Sequence, residues 1–118
     1  MKFARLSIIT ENQNTTQKAE RLAKMICETI GIETSFIIGK YEKFENSYKL
    51  EFVVEFEDPK NSIFESLEKT DRLCFPWVVK LNRRQNEIEL TFNKSANATY
   101  LKNDFNVIVW GNWEVDEK

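Results

Sequence analysis

From Ser47 to Glu57 the chain reads SYKLEFVVEFE. Tyr48, Leu50, Phe52, Val54 and Phe56 recur at every second position. Lys49, Glu51, Glu55 and Glu57 occupy the alternate positions, and only Val53 interrupts them. A period of two sends successive side chains to opposite faces of a strand. The stretch therefore predicts a strand with an aromatic and aliphatic face for a core and a mostly acidic face for something else. The rest of the chain is read as what covers the first face and what meets the second.

The chain has 118 residues, which predicts one domain, 1–118, large enough to bury about two-thirds of its unfolded surface. Nine Phe, three Tyr and three Trp support a packed core rather than disorder. With three Gly and two Pro there is neither a low-complexity linker nor a Gly-rich phosphate loop. The start, MKFARLSIIT, is too short for a signal h-region, and no apolar run is long enough to span a membrane. A cytoplasmic location is the expectation. The three Asn-X-Ser/Thr matches at Asn14, Asn93 and Asn97 are then chance matches in an Asn-rich chain. Cys27 and Cys74 lie far apart and are expected to be buried free thiols.

Taken in order, Lys2 to Thr10 predicts a first strand, apolar on both faces and so central in its sheet. Asn14, with Gln17 three residues on, offers a capping box for a helix over Thr15 to Ile30. Ala19, Leu22, Ala23, Ile26 and Ile30 form its inner stripe, and Gly31 ends it. Thr34 to Lys43 predicts a second strand that pairs with the Ser47 strand. Asp58-Pro59 opens a second helix, lined inside by Ile63, Leu67 and Cys74, with Phe64 beside them. Outward i,i+4 pairs are expected for Glu20 with Lys24, Glu65 with Lys69 and Glu68 with Arg72. Phe75 to Leu81 and Glu87 to Phe92 predict a hairpin with a basic tip carrying Lys80, Arg83 and Arg84. Lys94 to Asp104 is either one helical turn or plain loop. Phe105 to Trp110 predicts a last strand, and Gly111 to Lys118 a tail.

The fold class that follows is α+β: an antiparallel sheet of five to six strands with two helices on one face. The element order is the ferredoxin-like β-α-β-β-α-β with extra C-terminal strands. The other face is open, or covered only by the tail.

The catalytic inventory is poor. The chain has no histidine, so it lacks the commonest general base and the commonest metal ligand. Two isolated cysteines make no Cys₄ site, and no Gly-rich nucleotide motif or P-loop occurs. No enzyme activity, cofactor or metal is expected. The net charge of −2 and the lack of stacking rings around the basic hairpin tip argue against nucleic-acid and membrane binding.

What remains is the second face of the sheet. Glu51, Glu55 and Glu57 on one strand and Glu87 and Glu89 on another share its outward phase, and the tail adds Glu114, Asp116 and Glu117. Val53, Val78, Ile108 and Trp110 fall in the same phase, and Trp113 follows closely. Tryptophan is enriched among interface anchors. Two readings of the acidic residues stand: a solvated face that keeps a sheet soluble, or a negative patch that meets a basic protein. For Trp110 and Trp113 the alternatives are partner contact and burial under a folded-back tail.

A small acidic chain without catalytic groups, with the Glu51, Glu55, Glu57, Glu87, Glu89 face and the WGNWEVDE tail, resembles the immunity proteins of bacterial polymorphic-toxin systems, including those of contact-dependent growth inhibition. The resemblance implies a protein that binds one cognate toxin domain, often a basic nuclease, and blocks it, and that is a monomer or weak homodimer when alone. The competing expectation is a ferredoxin-like regulatory module that binds a small ligand or associates with itself through its sheet.

Overall fold

The computed structural model describes residues 2–33, 35–82, 84–85 and 87–117. The expected strand start at Thr34, Arg83 of the hairpin tip and the side chain of Glu117 lie outside them.

The alternation of Lys2–Thr10 forms β1, and Thr16–Ile30 forms α1. Phe36–Lys40 is β2, and Tyr48–Glu55 is β3. A 3₁₀ turn at Pro59–Asn61 leads into α2, Ser62–Asp71. The predicted Phe75 strand divides into a short β4, Cys74–Phe75, and β5, Val78–Asn82. β6 is Glu87–Asn93 and β7 is Thr99–Tyr100. A second 3₁₀ turn, Asn103–Val107, precedes β8, Ile108–Glu117.

Six strands make one antiparallel sheet in the order β2-β3-β1-β8-β6-β5, and β4 pairs with β7 apart from it. This is the α+β architecture with two helices that the element pattern predicts. The ferredoxin-like run β2-β3-β1 is completed by β8, not by the strand that follows α2. The β5–β6 hairpin extends the sheet beyond β8.

The tail expected after Trp110 is thus the second half of a central strand. Gly111 continues β8 because a glycine is what its neighbours require: the ring of Trp77 lies against it. Beyond it the alternation resumes, with Gly111, Trp113 and Val115 on the buried side and Asn112, Glu114 and Asp116 on the other.

The core lies between the sheet and the helices. Ala4, Leu6 and Ile8 of β1, Leu50, Phe52 and Val54 of β3, Leu90 and Phe92 of β6 and Trp113 of β8 form one buried cluster with Ala19, Leu22, Ala23, Ile26 and Ile30 of α1. The α1 stripe is the expected one. Its N-cap is Thr15, whose Oγ1 accepts from the Lys18 amide at 3.1 Å, one residue later than Asn14. The Glu20–Lys24 pair forms at 3.3 Å.

α2 packs differently from its sequence. Its buried side is Ser62, Ser66, Lys69 and Thr70, while Phe64 is 69 % exposed and Leu67 also faces outward. The hydroxyls bond back along the helix, Ser66 Oγ to the Ser62 carbonyl at 2.6 Å and Thr70 Oγ1 to the Ser66 carbonyl at 2.8 Å. That internal satisfaction offsets the desolvation of Ser66 and Thr70, while the buried Ser62 hydroxyl has no partner among the described residues. Lys69 does not pair with Glu65. Its Nζ donates to the Ile30 carbonyl at 2.9 Å, and Arg72 Nη1 donates to the Thr29 carbonyl at 3.3 Å. The last turn of α1 has no basic residue of its own, so α2 supplies the positive charge its carbonyl end favours. Glu65 instead accepts from the amides of Glu57 and Asp58 at 3.1 and 3.2 Å, tying the end of β3 to α2.

Candidate functional site

Both helices lie on one side of the sheet, so the candidate site is the opposite side. Cross-strand register places its residues in rows. One row runs Val53 (β3), Arg5 (β1), Glu114 (β8), Glu89 (β6), Lys80 (β5). The next runs Ile37, Glu51, Ser7, Asn112, Thr91, Val78. Glu55 lies opposite Phe3, which lies opposite Asp116, and Glu87 lies opposite Asn82.

Glu51, Glu55, Glu87, Glu89 and Glu114 therefore share the open face, as their phase predicts. They do not form one cluster. β1 and β8 separate β3 from β6, so the two acidic groups stand about 14 Å apart, three strand spacings. Glu114 bridges part of that gap. Arg5 sits between, with its guanidinium 3.3 Å from Asp116 and over the Phe3 ring at 5.7 Å. Lys49 pairs with Glu51 at 3.6 Å. Glu55, Glu87, Glu89 and Glu114 form no ion pair among the described residues, and Glu89 and Glu114 are direct neighbours across the β6–β8 ladder. Like charges so placed repel. Counting Asp116, carboxylates outnumber Arg5, Lys49 and Lys80 on this face among the described residues. Arg5 escapes a search for acidic runs, although it follows from the two-residue phase of its own strand.

Three expected positions change. Glu57 lies beyond the end of β3 and off the sheet, where its amide serves α2. Trp113 is 0 % exposed and belongs to the core, edge-on to Phe56 at 6.4 Å between ring centres. It is therefore no surface anchor. Its indole Nε1 is buried with no acceptor among the described residues. Ile108 is buried as well, while Trp110 stays half-buried on the open face opposite Ile9. Ile108 and Trp110 are in phase by sequence, but a bulge parts them: Ile9 pairs with Trp110 and Thr10 with Ile108, leaving Val109 extra in β8. One inserted residue reverses the side on which everything before it points.

Val53 is the exposed apolar group at the middle of the acidic half, 61 % accessible. Around it the open face is concave. A hollow of about 700 Å³ is lined by Arg5, Ser7, Ile37, Glu51, Val53, Glu55, Asn112 and Glu114, among others.

Chemically the face offers charge and shape. Among the described residues no group of three or more Cys, Asp or Glu is placed to hold a metal ion. Cys27 and Cys74 are free and buried. Burial, with Asp71 adding to it, pushes the Cys74 thiol up to about 12, and burial raises Cys27 too. Neither is a ready thiolate. Among the described residues no helix is long and apolar enough to cross a membrane.

The chain has no match among protein-family models, curated proteins or solved structures.

Proposed function

We propose that this protein acts by binding alone, docking the basic surface of a single protein partner onto the open face of its sheet. The observation that carries the reading is the concave face around the exposed Val53, with Glu55 and Glu114 in its lining and Glu89 beside Glu114, none of the three in an ion pair among the described residues. Unpaired carboxylates that repel one another gain from a partner's lysines and arginines, which raises association rate and selectivity. Val53 supplies the apolar contact, and half-buried Trp110 the rim. With the resemblance to immunity proteins of polymorphic-toxin systems, the partner is a cognate toxin domain of the basic, nuclease type. The protein blocks it by covering its active site or a surface beside it.

The test is co-expression with the product of the adjacent upstream gene, followed by purification through a tag on one chain. The expected result is a one-to-one complex and loss of the neighbour's toxicity. Glu89→Lys with Glu114→Lys should slow association at least about tenfold at low salt, and added salt should narrow the difference. A harmless neighbour that does not co-purify, or a complex indifferent to the double charge reversal, overturns the reading.

A further inference from the structure

β5 is an edge strand with the composition of an interior one. All of Val78–Asn82 is exposed, and the apolar residues occupy both faces: Val78, 71 % exposed, on the open side, and Val79 and Leu81, 52 and 44 % exposed, on the helix side. Strands apolar on both faces are normally covered on both. The opposite edge, β2, is packed against α1. At the β5 edge α2 packs chiefly on β4 and β6. Lys69 and Arg72 mark the flank of α2 that meets α1. At 100° per residue Leu67 lies on the other flank, toward β5, with exposed Phe64 beside it on the solvent side.

We propose that β5 pairs antiparallel with β5 of a second copy of this chain, joining the two sheets into one. A two-fold axis normal to the sheet keeps both pairs of helices on the same side. Same-face registers centre on Val79, Lys80 or Leu81. Centring on Lys80 sets two ammonium groups opposite each other, which is unfavourable. Centring on Val79 sets Val79 against its own copy and Lys80 against the copy's Val78. Trp77, which continues the helix-side phase through its contacts with Phe92 and Gly111, then faces the copy's Leu81. The helix-side seam is thereby wholly apolar.

The geometry above the seam fits as well. The two α2 helices, each over its β6, stand three strand spacings apart, about 14 Å. Directly packed helices stand about 8–10 Å apart. The remaining gap is what Leu67 and Phe64 from each side fill, over Val79 and Leu81. The open faces stay free, so the pairing is independent of the docking proposed above.

Sedimentation velocity over a range of concentrations tests it on the unmodified chain. The expected result is a monomer–dimer equilibrium. Val79→Glu, which sets two carboxylates face to face, should raise the dissociation constant at least about tenfold. Val53→Glu, on the open face, should leave it unchanged. A monomer at every concentration, a dimer that survives Val79→Glu, or one weakened equally by Val53→Glu overturns the proposal. If Val79→Glu does not fold, amide exchange of the unmodified chain decides. The amides of Val78–Asn82 should slow as concentration rises, and rates independent of concentration overturn the pairing.

Discussion

The indole of Trp77 rests on the backbone of Gly111, so closely that a Cβ on that glycine would sit 2.8 Å from Cη2 and 3.2 Å from Cζ3. Trp77 is held there by its Nε1, which donates to the Cys74 carbonyl at 2.7 Å, and by the Phe92 ring at 5.6 Å. The contact pins the segment between the small β4–β7 sheet and β5 to the central strand β8. Gly111→Ala should cost about 1–3 kcal/mol in urea unfolding, the usual range for a forced methyl in a packed site. The same substitution beside Trp77→Leu should cost clearly less, because the obstructing ring edge is gone. Equal costs in the two backgrounds would mean that the contact does not limit residue size at Gly111.

Lys69 joins the two helices by one charged hydrogen bond to the end of α1. Lys69→Met keeps most of the side-chain volume and leaves the Ile30 carbonyl without its donor. The expected loss is about 1.5–3 kcal/mol, in the range for bonds to charged groups. Lys24→Met, which breaks only the exposed pair with Glu20, should lose under about 0.5 kcal/mol. Guanidinium unfolding of both variants checks the contrast.

Trp113 separates ring packing from hydrogen bonding. Trp113→Ala should destabilise by about 3–5 kcal/mol, as expected for a buried aromatic. Trp113→Phe should recover a large part of that loss, because the indole N–H it deletes has no acceptor among the described residues. A Phe variant as unstable as the Ala variant would show that the N–H is satisfied in solution.

Alkaline pH should weaken the fold in a definite window. Burial first, and then Asp71, hold Cys74 at about 12 in the folded chain against 9.0 without those surroundings. Tyr100 stands at about 12 against 10.0, mainly by burial, and its hydroxyl donates to the Ile108 carbonyl at 2.7 Å. Both groups bind their protons more tightly when folded. The stability they add is full below the unfolded values and is lost as pH climbs toward the folded ones. Urea unfolding should therefore show a decline starting near pH 9, and Tyr100→Phe should make the decline shallower. A stability that is flat up to pH 11 or so would contradict the raised values. A thiol reagent at about pH 8 should label Cys27 and Cys74 slowly in the native chain and fast after denaturation.

The sequence by itself determined the elements with a simple period. Tyr48–Glu55 had to be a strand with one largely acidic face, and the Ala19–Ile30 stripe had to be a buried helix face, because side-chain direction there follows from spacing alone. The outward placement of Glu51, Glu55, Glu87 and Glu89 follows the same rule. The pattern Gly111, Trp113, Val115 against Asn112, Glu114, Asp116 was also legible, but a glycine in mid-strand reads as an end until Trp77 is seen lying on it.

Only the tertiary structure decided the rest. Strand order inserts Arg5 and Glu114 between the two acidic groups, since neighbours across a sheet come from distant parts of the chain. The bulge at Val109 sends Ile108 inward and leaves Trp110 outside, and a one-residue register shift leaves no mark on composition or period. α2 turns Lys69 and Arg72 toward α1 because the end of α1 presents the Ile30 and Thr29 carbonyls there, a demand that arises only when two helix ends meet.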